Sequence, residues 1–114
     1  MVKDYFIVSK NETLVSLMHK MTLNAHRTVF VLEKKKIIGL ITQGDIINSL
    51  IYKKKFNSTA GSIMNKSFAF LKKRDSDQAK KIFKKYLCPV IPIVNSKFEL
   101  IDTFSLEEYL NSFE

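Results

Sequence analysis

Two short stretches of this sequence repeat one another, and the repeat limits the folds that the chain can adopt. The first is the apolar run IIGLI followed by Thr42 and, three positions later, by Asp45. The second is the run LIDTF followed by Ser105 and Glu108, each 63 positions after its counterpart. Such runs suit buried strands, and a hydroxyl residue followed by an acid suits a helix N-terminus. Matching strand-to-helix junctions at a fixed offset predict a duplicated architecture.

Each junction brings together one hydroxyl, one carboxylate and the free N–H groups of a helix start. Because a helix N-terminus attracts anions, this set can anchor a phosphorylated ribose. The same pattern of Thr or Ser followed three positions later by an acid is also an ordinary helix cap. Both interpretations, a ligand anchor and a purely structural cap, are compatible with the junctions taken alone.

The segments between the junctions repeat as well. Residues at the spacing of one helix face are Leu14, Leu17, Met18 and Met21, and then, 65 positions later, Ala79, Ile82, Phe83 and Tyr86. Apolar runs predict three strands in each half, at residues 6–8, 29–32, 37–41, 68–71, 90–94 and 98–104. The sequence therefore predicts an α+β fold of two pseudo-symmetric β-α-β-β-α units. Pro92 lacks a ladder donor, so its strand should lie at an edge or carry a bulge there.

We place the first unit at residues 1–56, a connector at residues 57–67 and the second unit at residues 68–114. A chain of 114 residues is long enough to bury a core as one domain. We expect the connector to dock on the body of the protein, because it contains the apolar pair Ile63 and Met64.

The charge of the chain is uneven. Residues 1–96 carry 18 Lys and Arg against 6 Asp and Glu, which favours anionic partners. Much of this charge has a simpler explanation, since Lys34–Lys36 fills a predicted hairpin turn and four lysines between residues 80 and 85 form the wet face of a helix. Aromatic residues do not alternate with the lysines as a stacking platform would require, so nucleic-acid binding is not favoured.

Several function classes are not supported by the sequence. No Ser-His-Asp set, Gly-rich phosphate loop or cluster of metal ligands can be assembled, so we expect neither an enzyme nor a metal site. Cys88 is the single cysteine, and neither a membrane span nor a signal peptide is evident. These features predict a protein of the reducing cytoplasm.

The order of elements, together with the residues Gly39, Thr42, Asp45 and Ile46, resembles a tandem pair of cystathionine β-synthase (CBS) domains. The pair Ile63-Met64 and the strand Ile91–Val94 match the same family, and the resemblance extends from Phe6 to Leu110. The segments Thr42–Ile46 and Ile63–Lys66 are further similar to CBS pairs that precede sugar-phosphate nucleotidyltransferase domains.

The resemblance implies two units packed through their sheets, with a cleft that binds an adenine nucleotide: AMP, ADP, ATP or S-adenosylmethionine. It implies that the acid of each junction holds ribose hydroxyls and that the Thr or Ser contacts phosphate. Asp102 departs from the family pattern, because it stands where the first junction has Gly39 and adds negative charge. The predicted ligand-binding residues are Arg27, Gly39, Thr42, Asp45, Ser105 and Glu108.

The sequence and the resemblance together predict a regulatory module that senses an adenine nucleotide. We expect it to form a homodimer and to control an attached enzyme such as a sugar-phosphate nucleotidyltransferase, with no cofactor of its own. The alternative is a structural and dimerisation module that binds no ligand.

Overall fold

The computed structural model describes residues 2–52, 56–86 and 88–113. The chain divides into two compact units, Lys3–Phe68 and Ala69–Glu114, the latter together with Met1–Val2. Each unit combines strands and helices, which confirms the predicted α+β class. Across these described ranges no helix is both long enough and apolar enough to cross a lipid bilayer.

The first unit follows the predicted order. After a 3-10 turn at Asp4–Phe6, its elements are β1 (Ile7–Val8), α1 (Leu14–Leu23), β2 (Thr28–Glu33), β3 (Lys36–Thr42), α2 (Gln43–Ile51) and α3 (Ala60–Ile63). In the sheet, β1 is parallel to β2, and β2 is antiparallel to β3. Lys34 and Lys35 form the two-residue turn of the β2–β3 hairpin, with φ of 51° and 71°. Such left-handed pairs suit the right-handed twist of the strands but are usually filled by Asn and Gly.

The core of the first unit lies between this sheet and its helices. Leu14, Leu17 and Met21 of α1 are buried, whereas Met18 is 39 % exposed. On α2, Ile46 is buried but Ile47 remains 46 % exposed. The buried stripe of each helix is therefore narrower than the apolar stripe of its sequence.

A partly buried ion pair joins Glu12, which precedes α1, to Lys20 in the last turn of that helix. The Glu12 carboxylate accepts hydrogen bonds from the Ser9 N–H at 2.7 Å and the Ser16 hydroxyl at 2.6 Å, and it lies 3.1 Å from the Lys20 ammonium. Burial by itself would raise the pKa of Glu12, but these donors and the Lys20 charge together lower the pKa below its usual value.

The segment at residues 57–67 packs within the first unit. Ala60 is fully buried in its core. Asn65 forms an antiparallel bridge with Leu40, with N–H···O distances of 3.0 and 2.9 Å in the two directions. This bridge gives β3 a hydrogen-bonded partner on the edge that β2 does not cover. The unit boundaries at residues 56 and 68 stay a prediction.

The second unit consists of α4 (Ser76–Tyr86), β4 (Val90–Val94), β5 (Leu100–Ser105) and α5 (Leu106–Asn111), with β4 antiparallel to β5. Its core residues are Leu71, Ala79, Phe83, Ile91, Ile93, Phe104 and Tyr109. Tyr86, the last residue of the predicted helix face, is 54 % exposed because it lies at the end of α4.

The strand predicted at residues 68–71 was wrong, since the β-pairing of this segment is limited to an isolated parallel bridge between Leu71 and Ile93. The Leu71 N–H donates to the Pro92 carbonyl at 3.0 Å, and the Val94 N–H donates to the Leu71 carbonyl at 2.8 Å. In a parallel ladder the next bond would run from the N–H of residue 92 to the carbonyl of Ala69. Proline has no N–H, so the ladder stops at Leu71.

The two strands after α4 also differ slightly from their predicted form. The register of the β4–β5 pair shifts between Ile93 and Val94, one residue after Pro92, where we expected an edge or a bulge. The last strand begins at Leu100 and not at Phe98, because Phe98 has a left-handed φ of 62° and belongs to the turn.

Candidate functional site

The first cap, Thr42 and Asp45 at the N-terminus of α2, is a reciprocal capping box. The Thr42 hydroxyl accepts from the Asp45 N–H at 3.3 Å. The Asp45 Oδ2 accepts from the Thr42 N–H at 2.7 Å and from the Thr42 hydroxyl at 2.9 Å. The structure thus brings these two predicted site residues together, and it also shows that both serve the helix start.

Asn65 is a third member of the first cap that the sequence did not reveal. Its Nδ2 donates to the Asp45 Oδ2 at 2.8 Å. All three donors therefore converge on one carboxylate oxygen, and no donor among the described residues reaches Oδ1. The first cap holds the carboxylate in a fixed orientation with one oxygen available. The nearest sequence signal was the Ile63-Met64 pair, which places Asn65 directly after an apolar docking segment.

Gly39 has a packing role in β3. A Cβ at this position would lie 2.7 Å from the Cβ and Cγ of Met64 and closer still to its sulfur. These separations are far below van der Waals contact, so only glycine leaves space for the Met64 side chain. The contact with Met64 is a structural reason for a glycine at this position. The predicted role of Gly39 in ligand binding stays a prediction.

Arg27 lies next to the first cap through its backbone. Its φ is 51°, and its carbonyl accepts from the N–H of Gln43, the first residue of α2, at 3.0 Å. The side chain is exposed, and no carboxylate of the described residues forms an ion pair with it. Arg27 therefore lies beside the start of α2 as a cation with no acidic partner in the part of the chain that the structure describes.

The same region borders an apolar groove between α1 and α2. The groove has a volume of about 220 Å³ and is lined by Met18, Met21, Thr22, Arg27, Gln43, Ile46, Ile47 and Leu50. Leu50 also packs against the core, whereas Ile47 lies at the surface.

The second cap, Ser105 and Glu108 at the N-terminus of α5, repeats the capping box. The Ser105 hydroxyl accepts from the Glu108 N–H at 3.0 Å, and Glu108 Oε1 accepts from the Ser105 N–H at 3.2 Å. The predicted correspondence between the two junctions therefore extends to the hydrogen bonds.

Arg74 distinguishes the second cap from the first. Its guanidinium donates to Glu108 Oε2 and Asp102 Oδ2, both at 2.9 Å, and to the Thr103 carbonyl at 2.8 Å. The same group lies 4.8 Å from the centre of the Phe104 ring, within cation–π range. Glu108 therefore has both oxygens engaged, whereas Asp45 has one.

The charges of this cluster stabilise each other. The hydrogen bond to Asp102 is the main cause that raises the pKa of Arg74. Burial alone would raise the pKa of Asp102, but the Arg74 hydrogen bond and charge and the Thr103 N–H lower it. The structure pairs Arg74 with two acids of its own unit, so its charge is compensated there.

Comparison with known proteins identifies the fold. Residues 1–52 match the family model of the CBS domain. The sequence matches no curated protein. Among solved structures, the chain is similar to protein MJ1225 from Methanocaldococcus jannaschii, with a TM-score of 0.85 at 19 % identity, over 97 % of this chain and 46 % of that one.

Two further similar structures contain adenosyl ligands. One is the CBS domain pair of protein MJ0100 in complex with 5-methylthioadenosine and S-adenosyl-L-methionine, with a TM-score of 0.81 at 16 % identity over 96 % of this chain and 91 % of that one. The other is the cytosolic domain of the Mg²⁺ channel MgtE in complex with ATP, with a TM-score of 0.78 at 15 % identity over 95 % of this chain and 44 % of that one. This chain spans less than half of the MgtE and MJ1225 structures.

The chain therefore has the fold of a tandem CBS domain pair, which confirms the resemblance drawn from its sequence. At these identities the likeness establishes the fold, while the association with a nucleotidyltransferase stays a prediction.

Proposed function

We propose that this chain is a regulatory module that binds an adenine nucleotide at the first cap. The observation that carries the proposal is the Asp45 carboxylate, whose Oδ2 is held by three donors while Oδ1 receives none from the described residues. A fixed carboxylate with an available oxygen is suited to accept the two hydroxyls of a ribose. The ligands in the MJ0100 and MgtE structures support the adenosyl class.

Arg27 is the group that we assign to the phosphate of this ligand. It is exposed, lacks an acidic partner among the described residues and adjoins the first turn of α2 through the bond from Gln43. The N–H groups at the start of α2 strengthen the attraction of the region around Arg27 for an anion. We infer that the ribose lies at Asp45 and that the phosphate lies toward Arg27 and Thr42.

We assign no ribose site to the second cap. Arg74 takes the Glu108 oxygen that corresponds to the available one of Asp45, and an entering ribose would have to displace this charge-assisted hydrogen bond. The predicted ligand contacts of Ser105 and Glu108 are therefore not part of this proposal. One adenine nucleotide per chain at the first cap is the expected stoichiometry.

Titration calorimetry with AMP tests the proposal on the wild type and Asp45→Ala. Losing two charge-assisted hydrogen bonds, at roughly 1.5 kcal/mol or more each, should weaken binding about a hundredfold. Glu108→Ala is the matched control, because it removes the equivalent acid of the second cap and should leave the affinity unchanged. Unchanged affinity in Asp45→Ala, or an equal loss in both variants, would contradict the assignment. Thermal melting curves of both variants verify that they remain folded, because each substitution removes a helix cap and should cost about 1 kcal/mol of stability.

We further propose that the module controls an enzyme attached to it in a longer cytoplasmic protein, for example a sugar-phosphate nucleotidyltransferase. The segments Thr42–Ile46 and Ile63–Lys66 support this narrower assignment by resemblance. In the longer protein, AMP should change the rate of nucleotidyl transfer, and Asp45→Ala should abolish that change while leaving the basal rate intact. A rate that does not respond to AMP would rule out this control.

We also propose that the chain forms a homodimer. A homodimer is expected as well under the alternative, in which the chain is a structural module that binds no ligand. Ile47 and Ile51 on α2 are 46 % and 60 % exposed, and Ile47 lines the apolar groove between α1 and α2. Ile47→Glu should give a monomer by sedimentation, and Asn48→Glu, on an exposed position of the same helix, should not. Leu50 is unsuitable for this test because it packs against the core. A wild-type monomer at micromolar concentration would contradict the dimer.

A further inference from the structure

The basic loop of the second unit lies beside a cavity that neither cap uses. The cavity has a volume of about 390 Å³ and is lined by Phe70, Leu71, Lys72, Lys73, Asp75 and Gln78. This volume falls within the range of small-molecule sites in proteins. The lining combines apolar carbon, two ammonium groups, one carboxamide and the carboxylate of Asp75.

Both ends of this loop are anchored. Leu71 is held by its two backbone hydrogen bonds to β4, at 3.0 and 2.8 Å. Arg74 is held by its three hydrogen bonds to Asp102, Thr103 and Glu108. Lys72 and Lys73 are therefore the only two residues between fixed points. Because their backbone is restrained, less conformational freedom remains to be lost when a ligand binds.

The acids close to the loop are already engaged. Arg74 neutralises Asp102 and Glu108. The Asp75 Oδ1 accepts from the N–H groups of Asp77 and Gln78 at 3.0 and 3.2 Å, which caps α4. No ion pair involving either lysine of the cavity occurs among the described residues. The cavity is therefore lined by two lysines and one carboxylate, that of Asp75, and keeps a net positive charge.

One wall of the cavity is aromatic and fixed. The Phe70 and Phe98 rings form a T-shaped pair, with ring centres 4.8 Å apart and an interplanar angle of 83°. A ring held in this way offers a flat surface on which a planar group can stack. The two lysines and the Gln78 amide supply donors for an anion at the same cavity.

We propose that this cavity is a binding site for a phosphate monoester carried on a planar, aromatic body. The phosphate lies between Lys72 and Lys73, and the planar body lies on Phe70. The site is independent of the first cap and of the nucleotide proposed there, because all its lining residues belong to the second unit.

Phenyl phosphate is the probe, because it has the aromatic ring and the phosphate but no ribose for Asp45. Titration of the full chain, followed by NMR, should shift the amides of residues 70–78 with a Kd on the order of 1 mM. Lys72→Gln combined with Lys73→Gln should weaken binding at least tenfold. The matched control is Lys80→Gln with Lys81→Gln, which removes the same charge from exposed positions of α4 in the same unit and should leave the Kd within about twofold.

Two more variants complete the test. Phe70→Ala should reduce the affinity for phenyl phosphate to that for inorganic phosphate, and Phe70→Tyr, which keeps a ring and folds more easily, should retain the difference. Asp45→Ala should leave phenyl phosphate binding unchanged, which separates this site from the proposed nucleotide site. Absence of shifts at residues 70–78, or equal losses in the two double lysine variants, would overturn the proposal.

Discussion

Gly39→Ala gives the sharpest test of how the first unit is held together. The new Cβ would lie 2.7 Å from the Cβ and Cγ of Met64, whereas carbon atoms in contact are about 3.5–4.0 Å apart. Met64 would have to move by about 1 Å. Its N–H is bonded to the Ala60 carbonyl at 3.0 Å, and the next residue, Asn65, is bridged to Leu40, so this movement disturbs backbone pairing.

The expected loss of stability follows from two opposing terms. Overpacking of this kind costs roughly 1–3 kcal/mol, and replacing glycine reduces the entropy of the unfolded chain, which offsets about 0.4–1 kcal/mol. A net destabilisation of about 1–2 kcal/mol should lower the urea midpoint by about 1 M, for an m-value of roughly 1.5 kcal/mol/M.

Urea unfolding of a small set of variants decides the matter. Gly44→Ala is the control, since its Cβ would meet only the Thr42 hydroxyl at 3.7 Å, and alanine in α2 should stabilise the chain by about 0.5–1 kcal/mol. Met64→Gly, which removes the Cβ, the Cγ and the sulfur that the new methyl group would meet, should relieve Gly39→Ala, with a coupling of at least about 1 kcal/mol in the double-mutant cycle. If Gly39→Ala is as stable as the wild type, or if the two changes are additive, the packing explanation for Gly39 is incorrect.

Three further predictions concern the surface and the pH dependence. Lys35→Gly should stabilise the hairpin by about 1 kcal/mol in urea melts, because glycine adopts the left-handed φ of 71° without strain; a loss of stability would contradict this. Lys81→Gln with Lys84→Gln should change stability by less than about 0.5 kcal/mol, because both side chains are exposed, and a larger change would mean that α4 faces another way. Glu12→Gln should cost about 1 kcal/mol at pH 7, by loss of the ion pair with Lys20. The pKa of Glu12 in the folded chain lies below its usual 4.5, so this stabilisation is complete above pH 4.5 and is lost as the pH falls through the folded pKa. The urea midpoints of the wild type and Glu12→Gln should therefore converge in acid. A difference between the midpoints that does not change with pH would refute the stabilising role of the Glu12–Lys20 ion pair.

Local patterns in the sequence were sufficient for most of the fold. Periodicity located the helices, and the Thr-x-x-Asp and Ser-x-x-Glu junctions predicted both capping boxes, because a cap depends on residues three apart. The strand at residues 68–71 failed because its pairing depended on a distant residue. Phe68–Leu71 is as apolar as a strand should be, but the backbone donor that would continue its pairing falls at position 92, where proline has no N–H.

The candidate site was less accessible to sequence reasoning, for the same physical reason. Asn65 reaches Asp45 across 20 positions, and Arg74 reaches Glu108 across 34. No local spacing in the sequence relates residues so far apart. The structure was therefore needed to show that Arg74 engages the second oxygen of Glu108, whereas the second oxygen of Asp45 is available. The two junctions have the same capping hydrogen bonds, as predicted. They differ in the charged groups around their carboxylates, which the sequence did not predict.

The bridge between Leu40 and Asn65 also has a consequence for how the protein is made. The repeated sequence pattern ends with α2, but the first unit still lacks Ala60 in its core, Met64 over Gly39 and the partner of its edge strand. On the ribosome, the first unit can close only after Asn65 has left the exit tunnel, 14 residues after Ile51, the last residue of α2. The segment that folds as a unit is therefore longer than the segment that is repeated in the sequence.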